Sequence, residues 1–258
     1  MSEPTRPVLP GFVVGRRLGE RARLGRELAS GALVVLRPVP DGGEPDRLAA
    51  APEHPRLLVP RRVADAGGTC LVTPRLAGGG LDAVLARRGR LTAGQVGTVV
   101  ADVAEALTAL HETGTVHGRV RPDAVVLDGE GRAVLDGAAL LLPGGQGGPD
   151  DDVLALVDLA RTCLGEAADR PSAALHRLLA TVAAGAVPTA RELAAQVAAV
   201  ARPEPVRPGP ARRPQVAGPE HRRSGSRPML RRVGAVLAAG AVLVLAVAAG
   251  AWWADRAR

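Results

Sequence analysis

From Thr92 to Glu112 apolar residues return at helical spacing (Val96, Val99, Val100, Val103, Ala106, Leu107 and Leu110), and no other stretch constrains the fold as tightly. A stripe that wide needs a core to cover it, so the segment predicts an amphipathic helix packed deep in the domain. Thr92 is placed to cap its first turn. Beyond the helix the period changes. Val125–Leu127 and Ala133–Leu135 are short β-prone runs either side of Asp128-Gly129, the pattern of a hairpin. Upstream, Gly11–Leu18 and Ala32–Val39 read as strands, and Val63–Pro74 as a hairpin turning at Asp65-Ala66-Gly67-Gly68. Downstream, Asp152–Gly165, Ser172–Ala184 and Thr189–Ala201 read as further helices. The expected class is α+β, a strand-rich part followed by a helical one.

The segment joining the central helix to its hairpin reads His117-Gly118-Arg119-Val120-Arg121-Pro122-Asp123-Ala124. Within Leu110–Leu140 this frame resembles the catalytic core of the protein kinases, H-R-D-L-K-P-x-N followed by a hairpin and D-F-G. The likeness to bacterial eukaryotic-like Ser/Thr kinases extends over residues 11–201. His54-Pro55-Arg56-Leu57-Leu58-Val59 resembles the H-P-N-I-V segment, and Leu71–Leu76 with Gly78–Leu81 resembles the hinge and its following helix. Asp152-Val153-Leu154-Ala155-Leu156 resembles the start of the helix whose Asp anchors the catalytic loop. The resemblance implies a two-lobed fold, with a sheet-rich N-lobe and a helical C-lobe.

Where chemistry would reside, the chain departs from that pattern. Arg119 takes the place of the Asp that orients a substrate hydroxyl, and Ala124 that of the Asn that holds magnesium. An ungapped count puts the D-F-G Asp on Gly137; a slip of one residue puts it on Asp136, with Asp123 a nearby substitute. The turn-forming tendency of Asp gives Asp123 and Asp128 a structural reading as well. Leu18-Gly19-Glu20-Arg21-Ala22-Arg23 stands for the glycine loop, in which Gly19 fits and Arg21 replaces a glycine. Val34-Val35-Leu36-Arg37 stands for V-A-x-K, so Arg37 presents a forked guanidinium where an ammonium is usual. Its carboxylate partner would be Glu44 or Asp46, on a Gly- and Pro-rich segment unsuited to a long helix. Between Gly137 and Asp151 there is no Ser, Thr, Tyr or A-P-E. His117 reads as a core residue and His111, beside Glu112, as a helix-end residue.

All 33 basic residues are Arg and Tyr is absent, a bias resembling a high-G+C bacterial gene. The net charge of +7 is local: residues 1–201 are near neutral, while 202–232 hold nine Arg, seven Pro and two Glu. That stretch reads as a disordered, partly extended tether with affinity for anionic lipid headgroups, which Ser224 or Ser226 phosphorylation would weaken. The basic charge is thus not a nucleic-acid face, and the aromatic residues Phe12, Trp252 and Trp253 form no stacking platform. Cys70 and Cys163 lack metal-ligand spacing and read as small hydrophobes of a reducing compartment. Met1–Pro10 has no signal-peptide pattern.

Val233–Trp253 is uncharged, and roughly 31 Å of helix matches a bilayer core. Arg231 and Arg232 abut its start and Trp252 and Trp253 its end, which orients residues 1–232 to the cytoplasm and leaves 254–258 as a short outer tail. Such a tail cannot form a sensor domain, so signals are expected from the cytoplasm or laterally in the membrane. The expectation is a single-pass, membrane-anchored cytoplasmic pseudokinase that works as a scaffold or allosteric regulator of protein partners and needs no cofactor. The alternative is a divergent, active Ser/Thr kinase that uses ATP and magnesium through Arg37 and Asp136.

Overall fold

The computed structural model describes residues 9–18, 22–39, 45–65, 68–141, 147–165 and 169–207. Strands β1 (Phe12–Arg17), β2 (Arg23–Glu27), β3 (Leu33–Pro38), β5 (Arg61–Asp65) and β6 (Gly68–Pro74) form an antiparallel sheet in the order β1-β2-β3-β6-β5. Alternation sends Val34, Leu36 and Val72 to one face, where they bury a small core with Leu9, Phe12, Val14, Val63 and Cys70. Arg37, one residue out of phase with Leu36, emerges on the other. Strand β2 (sequence RLGRE) carries no apolar alternation, yet it pairs on both edges. Its Gly25 opens room for Leu36: a Cβ there would lie 2.7 Å from Leu36 Cδ1.

The larger core surrounds α3 (Ala93–Glu112), whose stripe from Val96 to Leu110 is wholly buried. Thr92 caps α3 as expected: its hydroxyl accepts from Gln95 N, and the Gln95 side chain returns the bond to Thr92 N. Helices α4 (Pro149–Leu164), α5 (Arg170–Ala184) and α6 (Ala190–Val200) complete this helical part, with α2 (Leu81–Arg88) beside the hairpin. That hairpin, β8 (Val125–Leu127) and β9 (Ala133–Asp136), is the centre of a second sheet, in which β4 (Leu57–Leu58) runs parallel to β9 and β7 (Gly79–Gly80) antiparallel to β8. The strand-rich and helical parts follow the expected α+β order.

Two departures concern segment lengths. Helix α1 is a single short turn, Pro45–Ala49, where a long helix would otherwise flank the upper sheet. Glu44 and the Asp46 side chain lie outside the described residues. The second is the end of the folded region. Residues 202–207, which composition assigns to the tether, lie along the helical part as a strap. Glu204 N donates to Gly94 O (2.9 Å), Thr98 Oγ1 to Glu204 O (2.6 Å), and Val206 N to Gly131 O (2.9 Å). Val206 is fully buried in the main core. Glycines make the approach possible: a Cβ at Gly94, Gly97 or Gly131 would sit 2.7, 2.9 or 2.6 Å from a strap carbonyl oxygen. Among the described residues no helix is long and apolar enough to cross a membrane. The segment 233–253 and the rest of the tether lie outside them.

Candidate functional site: the cleft beneath Arg37

Between the upper sheet and the loop that leads into β8 lies a cleft of about 200 Å³. Its roof is Arg37 and Leu71, from β3 and β6; its floor is Arg119, Arg121, Asp123 and Ala124; its back is Asp136, at the end of β9.

The floor is built from buried polar groups. Asp152, near the start of α4 and almost wholly buried, takes Gly118 N on Oδ1 (2.7 Å) and His117 N on Oδ2 (2.8 Å). His111, from the end of α3, places Nε2 3.0 Å from the same Oδ2. Gly118 adopts φ +74°, a left-handed conformation that a side chain would strain by about 1–2 kcal/mol. This turn is what directs Arg119 outward while His117 points into the core. The His117 ring is fully buried, donates from Nε2 to the Asp136 carbonyl (3.2 Å), and accepts at Nδ1 from Arg119 N (3.4 Å). Those roles require the neutral ring. Burial accordingly holds its pKa below the ordinary value, against the opposing Asp136 carbonyl and the charges of Asp152 and Asp136. Arg47 on α1 donates to the Val116 carbonyl (2.5 Å) and ties that short helix to the same loop.

The hairpin is fixed from below by Asp102, a fully buried carboxylate on α3. It accepts from Ala133 N (2.7 Å) and from Nε and Nη2 of Arg132, with Arg56 Nε 3.5 Å away. A buried charge of this kind is tolerable because it is paired and hydrogen-bonded. Asp128 acts as the turn residue that its position suggests, its Oδ1 accepting from Glu130 N and Arg132 N (both 2.9 Å).

With the hairpin so placed, Asp136 and not Gly137 faces Arg37. Arg37 Nη1 donates to Asp136 Oδ2 at 2.6 Å, and Asp136 Oδ1 accepts from Ala138 N at 3.0 Å. Sequence reasoning offered both registers; the hairpin is one residue shorter than the ungapped count assumes. Asp123, in the 3-10 turn Pro122–Ala124, pairs with Arg121 (Nη2 to Oδ2, 2.5 Å), both half-exposed. The structure therefore brings Arg37, Arg119, Asp123 and Asp136 to one cleft and leaves His117 and Gly118 beneath it. Gly19 and Arg21 lie outside the described residues. The buried Asp102–Arg132–Arg56 group was missed in the sequence; the isolated Asp within the apolar stripe of α3 was its signal.

The donor set does not fit a divalent cation. Both Asp136 oxygens are engaged, Ala124 offers no ligand, and no group of three or more His, Cys, Asp or Glu able to hold a metal occurs among the described residues.

No family model matches the chain. It is similar to the CBL-interacting serine/threonine-protein kinase 7 of Arabidopsis thaliana, 28% identical over 145 residues, covering 50% of this chain and 34% of the plant protein. The chain spans about a third of the length of the curated relative it matches. This similarity and the α+β arrangement point to a kinase-like relationship.

Proposed function

We propose that this chain is a kinase-like module impaired in phosphoryl transfer, anchored by residues 233–253 to a membrane with residues 1–232 in the cytoplasm. Its action is that of a signalling scaffold or allosteric regulator of a protein partner. The observation that carries this reading is the make-up of the cleft. Arg119 and Ala124 stand where the resemblance expects an Asp and an Asn, and the remaining carboxylate, Asp136, is held by Arg37 and Ala138 N. Phosphoryl transfer relies on positioning and on charge neutralisation by magnesium, which this set of side chains supports poorly. The arginines between 208 and 232 supply attraction to anionic headgroups that reinforces the anchor.

The test is a phosphotransfer assay on the full chain, paired with thermal unfolding in ATP with and without magnesium. The expected result is no transfer and no magnesium-dependent stabilisation; both together would overturn the reading. One observation favours a second reading, a divergent active Ser/Thr kinase: Arg37 and Asp136 meet in the cleft, at the places of the strand lysine and a metal carboxylate. Autophosphorylation abolished in Asp136→Ala decides for it.

A further inference from the structure

The misfit to a divalent cation leaves the cleft with an unusual charge arrangement. Three guanidinium groups line it from two sides, Arg37 above and Arg119 and Arg121 below, against two carboxylates. Arg37 is matched by Asp136 and Arg121 by Asp123. Arg119 is exposed, and among the described residues its guanidinium makes no hydrogen bond or ion pair. The His117–Gly118 turn, anchored on Asp152, fixes the backbone from which Arg119 rises. The cleft thus carries one unmatched positive charge, on a donor whose planar fork suits phosphate oxygens. Leu71, Pro38 and Ala139 make the neighbouring wall apolar, which suits an organic group attached to that phosphate.

We propose that this cleft binds a phosphate-bearing small molecule directly on Arg119, with Arg37 as the opposing donor, and without a divalent cation. The site does by guanidinium charge what a metal would otherwise do. It retains the phosphate without presenting it to a nucleophile, since no base stands at position 119. This deepens the functional reading above and rests on it only for the missing metal ligands. Magnesium is expected to compete, because it screens the anion that Arg119 attracts.

The experiment is thermal unfolding of the full chain with inorganic pyrophosphate, ATP or adenosine, each in excess EDTA or excess magnesium, for the wild type, Arg119→Ala and Arg119→Lys. The expected result is stabilisation by pyrophosphate and more strongly by ATP in EDTA, equal or smaller shifts in magnesium, and none with adenosine. Arg119→Ala should weaken apparent affinity about tenfold, the scale of one charge-assisted hydrogen bond, with Arg119→Lys between the two. The ligand-free melting temperature reports whether each variant is folded. Three results overturn the proposal: no shift in EDTA, a shift that Arg119→Ala leaves intact, or a shift that requires magnesium. A magnesium-requiring shift accompanied by phosphotransfer overturns the functional reading as well. No shift with any phosphate and no transfer overturns this inference alone.

Discussion

Replacing Val206 by Ala tests whether the strap belongs to the domain. Val206 is fully buried in the main core, beyond the point where composition turns to a Pro- and Arg-rich tether. The substitution removes two methyl groups' worth of buried surface, about 1.6 kcal/mol by transfer, and leaves a partly unfilled space. A loss of about 2 kcal/mol is expected. For a folded unit of this size that lowers the melting temperature by about 4–8 °C. Ending the chain at residue 201 should cost more. It also removes the bonds of Glu204 N and O and of Val206 N, at about 0.5–1.5 kcal/mol each. Glu204→Ala is the control. That carboxylate reaches only the Thr92 hydroxyl at 3.3 Å in an exposed position, so the change should stay within about 0.5 kcal/mol. Thermal and urea unfolding by circular dichroism give the values. If Val206→Ala melts within about a degree of wild type, and the chain ending at 201 does likewise, then the strap is not part of the fold and the reasoning is wrong.

Asp152→Ala strands the His117 and Gly118 amides; with about 1–3 kcal/mol per buried orphan donor, a loss of about 3 kcal/mol should appear in urea unfolding, and Asp152→Asn, which keeps one acceptor oxygen, should lose less. His117 provides a pH dependence whose sign is fixed. An unfolded chain takes up a proton near about pH 6.5 that the buried ring resists, so stability falls as pH drops through that value towards the lower folded one. The urea midpoint should therefore decline from about pH 7.5 to about pH 5.5, and His117→Gln should flatten the decline; equal slopes would count against the buried neutral ring. Cys163 is fully buried, and burial pushes its thiol up to about 12, so at mildly alkaline pH it should react with a thiol reagent only as fast as the protein opens. Labelling faster than unfolding would contradict that packing.

The parts of the fold legible in the sequence are those in which one periodicity dominates. The α3 stripe, the Thr92 cap and the Asp128 turn are local patterns, and each is found where it was expected. Strand β2 escaped because nothing in RLGRE alternates; it is a strand because β1 and β3 flank it and Gly25 clears space for Leu36. The strap escaped for a related reason. Arg202-Pro203-Glu204-Pro205-Val206-Arg207 reads as linker by composition, and only the distant glycines 94, 97 and 131 reveal that an extended segment can lie down on them. Interactions specified by the receiving surface leave little trace in the segment received.

The same logic separates what the kinase resemblance retains from what it lacks. Leu110, His117 and Asp152, where the match holds, are buried and hold the loop and core together. Arg119, where it fails, is exposed, and Asp123 is paired at the surface. Exchanges at such exposed positions cost little folding free energy, whereas orphaning a buried donor or charge costs several kcal/mol. A recognisable framework is therefore what folding alone would preserve, and it does not by itself argue for phosphoryl transfer. Asp136 is the informative exception. It is buried and lies within the cleft, yet its oxygens are occupied by Arg37 and Ala138 N, so its presence is accounted for by packing the hairpin against the upper sheet. Binding and transfer must then be decided at Arg119 and Asp136 separately: a ligand that needs Arg119 but no metal points to retention without chemistry, and only transfer that is lost with Asp136 restores the enzyme.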